Sequence, residues 1–167
     1  MKTIGLIGGL SWQSSIEYYR IINELVAKKL GGQHSCQCVM YSVDLDPILI
    51  LRDEDNWDEL TDIMVDAALR LERAGADFIV ICSNTMHKTF DDIQERINVP
   101  LLHIVDMTAE RIKAKKMQKV GVLGTKFTME QEFYKDRLNK KHGLEVIIPD
   151  EDERQFIHNV IYNELDF

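Results

Sequence analysis

Four consecutive apolar residues, Phe78-Ile79-Val80-Ile81, lie between Gly75 and the polar run Cys82-Ser83-Asn84-Thr85. A short, mostly β-branched run bounded by turn signals reads as a strand buried on both faces. Such a strand needs helices above and below it, which restricts the chain to an α/β fold with a parallel sheet.

The segments around it alternate accordingly. Thr3 to Ile7 reads as a first strand, and Gly8-Gly9 turns into a helix N-capped by Ser11 that carries Ile16, Tyr19, Ile22 and Val26 at helical spacing. Gly31-Gly32 stops that helix, and Cys36 to Val43 follows as a strand ending at Asp44. A loop containing Pro47 and the charged run Arg52 to Asp55 then leads to Asn56, which with Glu59 resembles a capping box. The helix it opens places Trp57, Leu60, Met64, Ala67 and Leu71 on one side and closes at Gly75. After the central strand come a helix from Lys88 to Ile97, a strand from Leu101 to Val105 ending at Asp106, and a helix from Thr108 to Met117.

At that point the pattern restarts: Val120-Gly121-Val122-Leu123-Gly124-Thr125 mirrors Ile4-Gly5-Leu6-Ile7-Gly8-Gly9. A helix from Met129 to Lys140, capped by Thr125 or Thr128, precedes a strand from Leu144 to Ile148, and Asp150 with Glu153 opens a last helix. The expectation is therefore an α/β fold, a parallel sheet with helices on both faces, in two pseudo-symmetric units: residues 1–117, and an incomplete second unit, residues 118–167. Two parallel strands make a poor independent domain, so the second unit is expected to lean on the first or on another copy of the chain, and a homodimer is the expected assembly.

Composition narrows the partners. The net charge of −8 argues against a nucleic-acid footprint or an anionic membrane surface, and the lysines at 113, 115, 116 and 119 read as a solvated helix end. No apolar run approaches the roughly 20 residues that span a bilayer, and Met1-Lys2-Thr3 leads directly into patterned sequence rather than a signal peptide. Three cysteines, at 36, 38 and 82, form no disulfide framework and suit a reducing, cytoplasmic compartment.

The chemistry-bearing residues gather where strands end. Cys82, Ser83, Asn84 and Thr85 put a thiol, two hydroxyls and an amide at the carboxyl edge of the central strand, where open α/β folds bind ligands. Because successive strand side chains alternate, a pocket that Ser83 faces is one that Cys82 turns away from. In its strand context Cys82 reads as a small buried apolar residue. Cys36 and Cys38 share one face of a strand, and with no second pair or nearby histidine they read as core packing rather than metal ligands. Asn84 and Thr85 either cap the following helix or bind substrate, and His87 either reaches a site or lies on the surface. Gly5, Gly8 and Gly9 do not have the dinucleotide spacing; they read as glycines that let backbone approach a substrate carboxylate.

Three motifs in order, Ile-Gly-Leu-Ile-Gly-Gly-Leu-Ser-Trp from Ile4, Cys-Ser-Asn-Thr-Met-His-Lys from Cys82 and Val-Gly-Val-Leu-Gly-Thr-Lys-Phe-Thr-Met-Glu-Gln from Val120, resemble the aspartate/glutamate racemase family over essentially the whole chain. The L-aspartate/glutamate-specific branch is the most similar. The resemblance implies a pyridoxal-independent isomerase with neither cofactor nor metal, acting on a small amino dicarboxylate by a two-base mechanism. Cysteine serves such chemistry because its ordinary pKa of about 8.5 can be tuned toward operating pH. Here the position before Asn-Thr is Ser83, where the L-specific branch is expected to carry a hydroxyl, and the family's second Gly-Cys-Thr-Glu motif does not occur before Phe167. The resemblance implies Ser83 as the acid–base residue and Leu10, Ser11, Arg52, Asn84, Thr85 and Thr125 as substrate contacts. Arg52 would pair with the distal carboxylate, since a guanidinium binds two oxygens at once. A dicarboxylate-binding module without turnover is the alternative. Isomerases or decarboxylases of maleate, hydantoins or arylmalonates fit the Ser-Asn-Thr-Met-His run less well.

Overall fold

In the computed structural model, which describes residues 1–165, β1 (Ile4–Gly8) pairs in parallel with β2 (Cys38–Ser42) on one side and β3 (Phe78–Ile81) on the other. β4 (Leu101–Leu102) adds to the far side of β3, so the sheet order is β2-β1-β3-β4. Ile7 stands in register with both Tyr41 and Ile81. The chain leaves β1 for β2 in one direction and then crosses over β1 to reach β3 in the other. That reversal puts the topological switch point between β1 and β3.

Helices cover both faces. α1 (Trp12–Leu30) lies on the side reached by Cys38 and Met40, while α3 (Trp57–Arg73) packs on the side reached by Val39, Tyr41 and Val43. Leu60, Met64, Ala67, Ala68 and Leu71 of α3 are fully or almost fully buried, at the spacing its sequence led one to expect. Gly5 allows this helix to approach: a Cβ there would stand 2.9 Å from Ala76 Cβ and 3.3 Å from Leu71 Cβ. The core continues through Ile79, Ile81, Met86, Ile93 and Leu101.

Several element expectations are corrected. The loop after β2 is α2 (Leu45–Asp53), with Pro47 in its first turn, where a missing N–H does no harm, and Ile48 buried beneath it. Asn56 caps α3 through Glu59 N–H at 3.3 Å, but Glu59 answers to the Asn56 side-chain amide rather than to its backbone, so the capping box is incomplete. The helix expected from Lys88 begins as a 3₁₀ turn, Thr85–Thr89, and continues as α4 (Phe90–Arg96). α1 buries only Ser15; Ile16 and Tyr19 are 52% and 51% exposed, because the apolar stripe faces a groove rather than the core.

The second compact unit begins at His103. The expected strand to Val105 ends at Leu102, because His103 Nδ1 accepts the Val105 N–H and caps α5 (Ile104–Ala114). Asp106 therefore sits in a helix, and α5, which the sequence grouped with residues 1–117, packs Val105 and Ala109 against Leu138 and Leu144. β5 (Lys119–Gly121) and β6 (Glu145–Ile147) form a separate parallel pair. The single helix expected from Met129 to Lys140 is interrupted by extended Gln131, giving α6 (Lys126–Glu130), α7 (Glu132–Asp136) and a π turn, Arg137–Lys141. α8 (Glu151–Val160) starts with a complete Asp150–Glu153 capping box. Among the described residues no helix is long and apolar enough to cross a membrane.

Candidate active site

The β1–β3 switch point brings two groups of candidate residues to one sheet edge. β1 delivers Gly9, Leu10 and Ser11, and the adjacent β3 delivers Ser83, Asn84 and Thr85. Ser14, in the first turn of α1, ties the two segments: its hydroxyl hydrogen is shared between Ser11 C=O at 2.9 Å and Cys82 C=O at 3.0 Å. The Cys82 N–H in turn donates to Ile7 C=O at 2.9 Å. Leu10 is buried, and Ser11 N-caps α1 by backbone conformation without a side-chain cap bond.

Gly9 is required here for packing. Its φ is +83°, and a Cβ would fall 2.1 Å from Val43 C=O, while its N–H donates to Ser15 Oγ at 2.9 Å. Gly8 likewise sits under Ser15 Oγ and Met40 Sδ, at 2.9 and 3.1 Å from its hypothetical Cβ. These glycines let the chain approach itself closely at the end of β1.

After β3, burial sorts the two reactive atoms. Cys82 is fully buried, and burial pushes its thiol pKa up to about 12, so at neutral pH it is a protonated packing residue. Ser83 is half-buried, and Asn84 is exposed with no side-chain cap bond. Its amide is therefore not directed into the turn it precedes. Thr85, half-buried, opens that turn.

His87 is buried, stacked on Phe90 at 6.4 Å between ring centroids, and its Nδ1 lies 2.6 Å from Ser83 C=O. A carbonyl can only accept, so Nδ1 carries the proton and donates. The sequence left His87 undecided; the fold makes it a brace on the backbone of the Ser-Asn-Thr corner. Lys88, which sequence reasoning passed over, stands with its Nζ 3.7 Å from the Trp57 ring centroid. Burial lowers its pKa and Asp55 opposes that shift. No local signal announces the Lys88–Trp57 contact, since it joins residues 31 positions apart; the Ser14 tie had a weak one, a serine in a first helical turn.

Arg52 falls in the last turn of α2. Its Nε and Nη2 both donate to Asp53 Oδ1, at 2.9 and 2.8 Å, and its side chain is only 9% exposed. A substrate carboxylate would have to displace Asp53. Thr125 belongs to the second unit, where it N-caps α6 by accepting the Thr128 N–H at 3.4 Å. In the same loop the Lys126 N–H donates to His158 Nδ1 at 3.3 Å, joining residues 32 positions apart. Among the described residues no three His, Cys, Asp or Glu side chains are grouped to hold a metal.

The family profile for Asp/Glu/Hydantoin racemase matches residues 7–166. The chain belongs to the Asp/Glu/hydantoin racemase family. Its sequence is 32% identical over 150 residues to the broad specificity amino-acid racemase RacX of Bacillus subtilis (strain 168), covering 88% of this chain. The chain spans 64% of that relative's length. Among solved structures, one from Yersinia pestis assigned to the Asp/Glu racemases is 50% identical, with a TM-score of 0.94 over 99% of this chain and 72% of that one. An aspartate racemase homologue from Pyrococcus horikoshii OT3 is 36% identical, with a TM-score of 0.87 over the same shares. A racemase-family fold accounts for the parallel sheet with helices on both faces.

Proposed function

We propose that this chain carries the first half-site of a cofactor-independent racemase for acidic amino acids, L-aspartate or L-glutamate, that works by two-base proton transfer. The observation that carries the reading is the convergence of Ser83, Asn84 and Thr85 with Leu10 and Ser11 at the β1–β3 switch point, where this topology binds ligands. Ser83 exchanges the α-proton from one face. Asn84 and Thr85 donate hydrogen bonds to the substrate carboxylate as charge develops on it, the moment at which fixed donors are most effective. Arg52 takes the distal carboxylate by exchanging it for Asp53. The buried, protonated state of Cys82 supports Ser83 rather than the neighbouring thiol as the proton-transfer group.

A serine hydroxyl is a weak base and depends on activation by a neighbour. Its test is α-proton exchange in heavy water followed by mass spectrometry. Exchange into aspartate or glutamate is expected with the parent chain and with Cys82→Ser, and is expected to vanish in Ser83→Ala. Exchange that survives in Ser83→Ala removes Ser83 from the mechanism. Aspartate binding by calorimetry with no exchange in the parent chain would instead support a dicarboxylate-binding module.

The reading places the protein in the cytoplasm as a homodimer, without nucleic-acid or membrane partners. Ile21 and Leu25 of α1, 44% and 60% exposed, are consistent with burial against a second copy. Sedimentation velocity at micromolar concentration is expected to give twice the chain mass of 19.4 kDa; a single species at the chain mass would remove the dimer.

A further inference from the structure

β2 is the edge strand of its sheet, and Cys36, just ahead of it, lines one groove with Cys38 and Met40 of the strand, sulfur at every second residue. They line an open groove of about 570 Å³ whose other wall is the exposed stripe Trp12, Ile16 and Tyr19. The core packing expected of the two cysteines is not what the fold provides. Both are free and half-buried at the groove wall, two residues apart along an extended segment. The backbone holding them is fixed on both sides. The Cys36 N–H donates to Asn23 Oδ1 of α1 at 2.9 Å, Ile4 of β1 takes the intervening Gln37 C=O at 2.9 Å, and Cys38 is in register with Ile4.

We propose that Cys36 and Cys38 form a two-coordinate site for a soft, thiophilic monovalent cation, with Cu(I) as the physiological example. The site has no part in the proton-transfer reading above. The choice among thiol chemistries follows from geometry. A disulfide is disfavoured, because residues two apart on an extended chain have Cα atoms about 6.7 Å apart, at the far limit of what a disulfide closes without moving backbone. A tetrahedral zinc site needs four ligands, and no group of three candidate ligands exists among the described residues. Two adjacent thiolates do satisfy an ion that accepts two soft ligands in a line. The third sulfur, Met40 Sδ, packs over Gly8 and is left out of the pair.

Binding replaces two S–H bonds by two S–Cu bonds: one Cu(I) and two thiols give a bis-thiolate complex of charge −1 and two released protons, with no change of oxidation state. Because the metal binds thiolates, its uptake releases protons and its apparent affinity falls as pH falls.

The test is anaerobic titration of the reduced full chain with Cu(I) in competition with a chromophoric Cu(I) chelator, at two pH values. One equivalent is expected to be withdrawn from the chelator, with the stated pH dependence. Cys36→Ser and Cys38→Ser are each expected to weaken uptake by roughly 100-fold or more, whereas Cys82→Ser leaves it unchanged. Uptake that persists in the double variant Cys36→Ser/Cys38→Ser, that disappears in Cys82→Ser, or that never competes with the chelator in the parent chain overturns the site. None of these outcomes depends on whether α-proton exchange is detected.

Discussion

At the scale of single residues, the candidate site depends on two positions that have no side-chain chemistry to offer a substrate. Gly9 adopts a φ of +83° with the Val43 carbonyl 2.1 Å from where a Cβ would stand. Gly9→Ala must therefore either strain the backbone or push β2 away from the end of β1. The expected cost is about 3 kcal/mol, read as a lower urea midpoint of the full chain; a loss below about 0.5 kcal/mol would show that this corner relaxes freely. That Cys82 is a small buried apolar residue was legible in the sequence, because it follows directly on the apolar run of β3. Arg52 was less so. Its candidacy rested on a guanidinium in a charged loop, and what the loop contained, a helix that sets Arg52 beside Asp53, is decided by Ile48 finding a place in the core.

Among the elements, the readable ones carry their own start signals. α8 opens with Asp150 accepting the Glu153 N–H at 2.9 Å and the Glu153 carboxylate accepting the Asp150 N–H at 3.3 Å. Both contacts are local, so four residues of sequence sufficed to place the helix start. Asp150→Ala is expected to destabilise the second unit by about 1 kcal/mol, measured by chemical denaturation; no change would mean that the first turn of α8 is already frayed. α5 was misplaced for the opposite reason. Leu101 to Val105 is an apolar run of strand length interrupted only by His103, and the imidazole cap that converts its second half to helix is not a familiar N-cap signal. α1 shows a third case. Its apolar periodicity identified a helix, but periodicity does not say what the stripe faces, and here Trp12, Ile16 and Tyr19 face the sulfur-lined groove.

For the molecule as a whole, the decisive fact is that the two compact units have separate cores of unequal size. The first joins α3 to the four-stranded sheet through 16 buried residues, and the second rests on Val105, Ala109, Leu138 and Leu144. The second unit also carries a cluster of polar contacts centred on Asp106. Its carboxylate accepts two hydrogen bonds from Arg137 at 2.7 and 2.8 Å, one from Lys141 at 2.8 Å, and lies 2.7 Å from His142 Nε2. The Arg137 guanidinium, with smaller contributions from His142 and Lys141 and against the cost of burial, holds the Asp106 carboxyl well below the usual carboxylate range. A depressed folded-state pKa contributes stability that is fully present above the unfolded value of about 3.9 and is lost as pH falls through the folded one. Stability of the second unit is therefore expected to be independent of Asp106 ionisation from neutral pH down to about 5 and to decline below about 4. Asp106→Asn is expected to cost about 2 kcal/mol at neutral pH and to flatten that acid limb, as followed by urea denaturation at a series of pH values. An acid limb equally steep in the variant would assign the pH dependence to other carboxylates and leave apolar packing as the principal support of the second unit.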